Sequence, residues 1–159
     1  MPTEIKAKMI VHFKSEEHKF LSNFYLCEVE FVGIIYPSVE HAYMSAKSNE
    51  EVEIDGVKYN WKKYCALPTV SPGKIKSESR FVTLVDNWDY LRMHIMHVCL
   101  LNKFSKPDMR ARLLATGDQN IQEGNWHGDR FWGVDLRENP NVGENHLGRL
   151  LMEIRNGFV

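Results

Sequence analysis

The longest run of helical periodicity in the chain spans Asn87 to Phe104, where Leu91, Ile95, Val98 and Cys99 recur on one face. A single apolar stripe is stable only when covered, so the remaining sequence must supply partner elements. Several shorter helices are signalled. Pro37–Ser38 reads as a turn with a Ser N-cap opening a helix over about Val39–Lys47. Tyr59–Leu67 carries Trp61, Tyr64 and Cys65 at helical spacing and stops at Pro68, and Ser71–Pro72 opens a helix to about Arg80. Pro107–Ala115 ends at Thr116–Gly117, a C-terminal stop. About Asn145–Arg155 places Leu147, Leu150, Leu151 and Ile154 on one face, with Asn145 as the expected cap.

Strand signals are fewer and lie towards the N-terminus. Met9–Phe13 is a short apolar segment that reads as a strand. Cys27–Tyr36 is β-branched and aromatic, with Gly33 as a turn signal, and reads as a strand pair. Glu53–Tyr59 carries Asp55–Gly56 between β-prone flanks and predicts a hairpin. No internal repeat, low-complexity tract or linker is evident. The expected fold is α+β: a predominantly helical single domain over residues 1–159 with a small N-terminal antiparallel sheet.

A chain of 159 residues buries about two thirds of its unfolded surface. Its 20 basic and 21 acidic residues give a net charge of -1, without the basic excess by which tight non-specific nucleic-acid binding usually shows, which leaves a local basic groove as the alternative. Cys27, Cys65 and Cys99 are odd in number and far apart, so they form no disulfide framework and favour a reducing compartment. The segment MPTEIKAKMIVHF lacks the apolar core of a signal peptide, and no apolar run approaches the roughly 18 residues needed to span a bilayer. The expectation is a cytoplasmic protein with no membrane partner.

Two segments suggest chemistry. On a helix beginning at Ser38, Glu40, Met44 and Lys47 fall on one stripe with Tyr43 beside them, so a carboxylate and an amine project from the same face. The helix dipole favours ionised Glu40 by under ~1 kcal/mol, whereas burial raises a carboxyl pKa by up to ~3–5 units. Burial would therefore decide its protonation. The alternative is an ordinary solvated helix face. The second segment, Gln122–Gly133, alternates glycine, carboxylate and tryptophan without periodicity, within a long loop over Asp118–Glu144. Glycine allows close backbone approach and tryptophan offers a stacking face, as a binding loop needs; a surface loop pinned by two tryptophans fits as well. Gly148 in the last helix suggests close packing or ligand approach, and Asn87–Trp88 fits either an anchor or a stacking platform.

Other chemistries lack their signatures. His94 and His97 lie at i, i+3 without HExxH or clustered carboxylates, so no metal site is expected. Walker A, GxGxxG and GxSxG patterns are missing too, so no cofactor is expected and acid–base chemistry remains.

Taken in order, Phe20–Phe24, Tyr36–Tyr43 with Ala46–Lys47, Asn87–Trp88, Leu101–Phe104, Leu114–Gly117, Glu123–Asn125, Asp129, Phe131–Gly133, Asn145–Gly148 and Leu151–Met152 resemble the NADAR family over about residues 10–155. The pattern departs at Ser48–Glu78, where EIDGVKY interrupts what is continuous helix in many members. That departure bears on one pocket wall, and so on substrate choice, more than on catalytic residues. The resemblance implies N-glycosidase activity on phosphoribosylamino-pyrimidine intermediates of riboflavin biosynthesis, on ADP-ribosylated guanine in nucleobase or nucleic acid, or on both. By motif it implies that Glu40, Asp129 and Trp88 are essential, that Lys47 is a candidate nucleophile and that Trp132 belongs to the pocket. Asn23, Phe24, Tyr43, Asn125, Gly133 and Arg149 are the further expected substrate contacts. Arg80, Arg130 and Arg149 are candidate phosphate partners by charge and nearness to motifs. A non-catalytic ADP-ribose or nucleotide-binding module is the competing class, and a structural interaction protein a third. The enzymatic reading expects the early helix and the late loop to converge on one concavity.

Overall fold

The computed structural model describes residues 8–158. The sequence reading of the extreme N-terminus falls mainly on residues 1–7, outside the described ones. The architecture is α+β, with six α-helices and three two-stranded pairings among the described residues. Two compact units divide the chain: residues 23–106, and residues up to 22 together with 107 onward.

The unit of residues 23–106 starts with a hairpin of β1 (Val29–Phe31) and β2 (Ile34–Tyr36), paired antiparallel with Glu30 opposite Ile35. Val32 and Gly33 turn it at φ 49° and 77°. Two successive positive φ values match the right-handed strand twist, and glycine tolerates its position freely while valine is strained there. Helix α1 (Val39–Ser45) follows, with the Ser38 hydroxyl accepting from the His41 amide at 3.2 Å as its N-cap. A second antiparallel hairpin, β3 (Glu51–Ile54) with β4 (Val57–Asn60), turns at Asp55–Gly56, again with two positive φ values. Asn60 caps α2 (Trp61–Cys65), and Ser71 caps α3 (Pro72–Glu78) with Pro72 in its first turn. The long helix α4 (Trp88–Phe104) completes the unit.

α1 is the hub. It packs against α2, α3, α4 and the β1–β2 hairpin, so all seven of its residues are buried, polar ones included. The solvated face that its spacing allowed is therefore not present. Trp61 donates its indole N–H to the Met44 carbonyl at 2.8 Å. The Lys62 ammonium donates to the carbonyls of Ser45 and Ser48 at 2.9 and 3.0 Å, closing the C-terminal end of the helix with a cation. His41 sits between the Ser38 hydroxyl and the Val70 carbonyl, both at 2.6 Å, and burial lowers its pKa.

Two expectations for this unit change. α4 buries Trp88, Met96, Cys99, Leu100, Lys103 and Phe104, whereas Leu91 is exposed. The covered stripe is thus rotated from the one that apolar spacing picked out, because packing partners rather than local hydrophobicity choose the face. α1 ends at Ser45, so Lys47 lies in the following turn rather than on a continuous helical stripe with Glu40.

In the other unit, α5 (Pro107–Ala115) ends before Gly117 at φ 65°. The expected strand at Met9–Phe13 is reduced to one parallel bridge, Ile10 to Ile121. The long loop contains the parallel pair β5 (Gly124–Asn125) and β6 (Val134–Asp135). Asp135 is fully buried and is held by the Arg137 guanidinium at 2.9 Å and Arg130 at 3.3 Å, which keep its carboxyl well below the usual range. α6 (His146–Gly157) buries Leu147, Leu150, Leu151 and Ile154 as expected.

Asn145 precedes α6 at φ 55° without a side-chain cap, contrary to expectation. Loop carbonyls of Phe131 and Trp132 accept the His146 and Leu147 amides at 3.2 and 3.0 Å, so no side-chain cap is needed. The freed Asn145 amide instead donates to the Ile121 carbonyl at 2.9 Å and accepts from the Glu123 amide at 3.0 Å. Gly148 lies against the Ile121 carbonyl and the Asn145 side chain, so close packing, one of its two sequence readings, is what the structure shows.

Candidate functional site

The unit of residues 23–106 brings several expected residues together around α1. Glu40 is 5% exposed, Tyr43 4% and Trp88 7%. The Tyr43 and Trp88 rings meet at 5.2 Å between centroids, tilted by 50°. The Lys47 Nζ lies over the Trp88 ring at 5.9 Å and 3.5 Å from the Ser79 hydroxyl. Its amine is held below the ordinary lysine range by burial; Glu40 opposes that shift and Lys76 adds to it. A carboxylate, an amine and two aromatic rings thus share one buried region, although the amine arrives from a turn.

Asn23 adjoins this region from the chain preceding β1. Its backbone carbonyl accepts the Glu40 amide at 3.0 Å, tying the two residues together. The Asn23 side chain is 9% exposed and its amide faces the Met96 sulfur at 3.5 Å. Its Oδ1 is buried without a hydrogen-bond partner among the described residues. An orphaned acceptor of this kind costs roughly 1–3 kcal/mol, which a ligand donor would recover. Phe24 is 42% exposed, with the Lys76 Nζ 5.8 Å from its ring. Lys76, in the stretch that departs from the family pattern, and Ser79, the residue just after that stretch, were missed in the sequence. No periodicity marked them.

The loop of the other unit organises Asp129. Its Oδ1 accepts the backbone amides of Phe131 and Trp132 at 3.1 and 2.9 Å, a local turn that holds both aromatic residues. Asn125, expected to touch substrate, is occupied otherwise. Its NH₂ donates to Glu123 Oε2 at 3.1 Å and the Asp129 carbonyl at 2.8 Å, while its oxygen accepts the Asp129 amide at 3.0 Å. Asn125 thus shapes the loop around Asp129. Gly133 is likewise tight: a Cβ there would collide with the carboxylate and carbonyl of Glu123. Trp132 is half-buried and edge-on to Phe131 at 4.8 Å.

Of the cations proposed for phosphate, Arg130 is bound to Asp135 and Glu138, each at 3.3 Å. Arg80 and Arg149 are exposed. A separate groove of about 230 Å³ is lined by Glu50, Glu53, Trp61, Glu78 and Phe81 among others and contains none of the expected site residues. No group of three or more His, Cys, Asp or Glu residues suited to a metal ion occurs among the described residues. No helix among them is long and apolar enough to cross a membrane.

Comparison with known proteins gives concordant matches. The NADAR domain model matches residues 11–159. A riboflavin biosynthesis protein of Vibrio vulnificus is 33% identical over 141 residues, covering 88% of this chain but 35% of that protein. The N-glycosidase YbiA of Escherichia coli is 29% identical over 142 residues, covering 89% of this chain and 82% of that protein. The NMR structure of E. coli YbiA superposes with a TM-score of 0.74 at 26% identity, covering 97% of this chain and 87% of that one. The chain therefore spans about a third of the Vibrio protein and about four fifths of YbiA.

Proposed function

The chain belongs to the NADAR family, and from that premise we propose that it is an N-glycosidase hydrolysing the bond between a ribosyl C1′ and nitrogen. The observation carrying this reading is the burial of Glu40 beside Lys47, Tyr43 and Trp88 around a single helix. Burying an acid is costly unless it is compensated, and here the Lys47 amine acts on Glu40 in the same region as two aromatic rings. The name of one relative, N-glycosidase, supports the same class of bond, and that of another, riboflavin biosynthesis protein, supports a substrate from that route.

In the proposed reaction the C1′–N bond breaks with its electron pair moving to nitrogen. Glu40 supplies a proton to that nitrogen, and water adds to C1′, giving the free sugar and the amine or base. The resulting positive charge on the ribose ring resembles that of O-glycoside hydrolysis. Trp88 offers an aromatic face to a ring or sugar. Asp129 is assigned to water or the developing cation, and Trp132 to substrate contact, by motif alone. The substrates fitting this chemistry are phosphoribosylamino-pyrimidines and ADP-ribosylated guanine, which share the ribosyl C1′–N linkage.

The test is a parallel assay of a phosphoribosylamino-pyrimidine and an oligonucleotide carrying ADP-ribosyl-guanine. Wild type is expected to release free base or amine from at least one, and Glu40→Gln to lose about 10²–10⁴-fold in kcat while remaining folded. Full activity in Glu40→Gln removes the assigned role. Binding of ADP-ribose without turnover of either substrate favours a non-catalytic module. A Glu40→Gln, Asp129→Asn double variant then measures whether the two carboxylates act on one step, through non-additive losses.

A further inference from the structure

Both proposed substrate classes carry a phosphoryl group on the 5-oxygen of the ribose whose C1′–N bond is cleaved. A subsite for that group would serve either one. The arginines selected from sequence offer no built site for it: Arg130 is committed to two carboxylates, and Arg80 and Arg149 are exposed. A different cation stands on the helix that packs against α1.

Lys76 lies on α3, which packs directly against α1. Its Nζ is 5.8 Å from the centroid of the half-exposed Phe24 ring. One turn further along, the Ser79 hydroxyl donates to the Lys76 carbonyl at 2.7 Å and meets the Lys47 Nζ at 3.5 Å. The Lys76 charge adds to the lowering of the Lys47 pKa that burial causes, while Glu40 opposes it. Neither ammonium forms an ion pair with a carboxylate among the described residues. Glu40 already acts on Lys47, whereas the Lys76 ammonium has no ion pair of its own among the described residues, and a lysine is a point charge suited to phosphate. The exposed Phe24 ring gives the ammonium an aromatic face to rest on.

We propose that Lys76, beside Phe24, receives the 5-phosphoryl group of the ribosyl substrate and thereby sets the sugar's position relative to Lys47 and Glu40. This deepens the N-glycosidase reading and rests on it for the identity of the ligand. Lys76 is in this assignment a substrate-binding residue that discriminates phosphorylated from plain ribose. It also gives the stretch that departs from the family pattern a direct part in substrate choice.

The test is calorimetric binding of ribose 5-phosphate, ADP-ribose and unphosphorylated ribose to wild type, Lys76→Glu, Lys76→Ala and Lys76→Arg. Wild type is expected to prefer the two phosphorylated sugars over ribose. Lys76→Glu should weaken their binding roughly 10- to 100-fold while leaving ribose unchanged, the usual size of a lost charged hydrogen bond. Lys76→Arg should retain most of the preference, which also excludes misfolding as the cause. Equal weakening for all three sugars, loss confined to ADP-ribose, unchanged binding in Lys76→Glu, or no preference in wild type each overturns the assignment. Binding needs no turnover. A protein that holds ribose 5-phosphate through Lys76 yet cleaves neither substrate would sink the enzyme reading and leave the subsite standing.

Discussion

The Nζ of Lys47 stands 5.9 Å from the centre of the Trp88 ring, in a region shared with Glu40 and Tyr43. Burial makes this amine less basic than an exposed lysine; Glu40 works against that and Lys76 with it. A neutral amine can attack C1′ of an opened ribose, expelling the amine and leaving a Schiff base that water later hydrolyses.

If Lys47 follows that route, borohydride will trap a reduced sugar adduct on Lys47, visible by mass spectrometry. The rate should rise with pH towards an apparent pKa below the ordinary lysine value of 10.5, because only the deprotonated amine attacks. Undiminished activity in Lys47→Ala rules the route out and leaves direct attack by water.

Asp129 allows charge and geometry to be separated. Its Oδ1 holds the amides of Phe131 and Trp132, an acceptor that Asp129→Asn retains and Asp129→Ala removes. Asn is expected to lower kcat without changing Trp fluorescence or the urea midpoint. Ala should lower kcat and also cost about 1 kcal/mol of stability, typical of a lost hydrogen bond. Wild-type kcat in Asp129→Asn would reduce the residue to a loop fastener.

For Gly148→Ala, helix propensity and tertiary packing predict opposite signs. Propensity alone favours Ala, by at most the roughly 0.8–1.0 kcal/mol of a helix interior, since Gly148 lies in the first turn of α6. The added Cβ would, however, enter the space of the Ile121 carbonyl and the Asn145 side chain, a backbone group and the loop clamp. Overpacking of this kind costs roughly 1–3 kcal/mol, so packing should win and the variant should be less stable. A raised melting temperature would show that α6 can shift away.

Lys103 is fully buried on α4, and desolvation pushes its pKa down to about 7, with Cys27 opposing. In the unfolded chain it titrates near the ordinary 10.5, so between about 7 and 10.5 the unfolded state binds more protons. Its contribution to stability is therefore fully present above the unfolded value and is lost as pH falls through the folded one. Urea midpoints of wild type relative to Lys103→Met should rise with pH across that window. Parallel curves for the two proteins would contradict this.

The elements that were legible in the sequence share a cause. Ser38 and Ser71 open helices, and Gly33 and Asp55–Gly56 turn hairpins, through contacts spanning only a few residues. The α+β class followed from them. Of the site, the grouping of Glu40, Tyr43 and Lys47 was visible because it lies within one short segment, and Trp88 was visible by motif alone. Lys76 and Ser79 were not, since their approach to Lys47 depends on α3 lying against α1.

The amino-acid order alone determined where most helices begin and end, and which residue types were available for acid–base chemistry. Local steric preference and short-range hydrogen bonding are enough for that. Only the tertiary structure decided that every residue of α1 would be buried, that α4 would cover Met96 and Lys103 rather than Leu91, and that Asn145 would clamp a loop instead of capping a helix. Those outcomes depend on groups distant in sequence, such as Trp61 bonding the Met44 carbonyl, and on which surfaces close packing brings together.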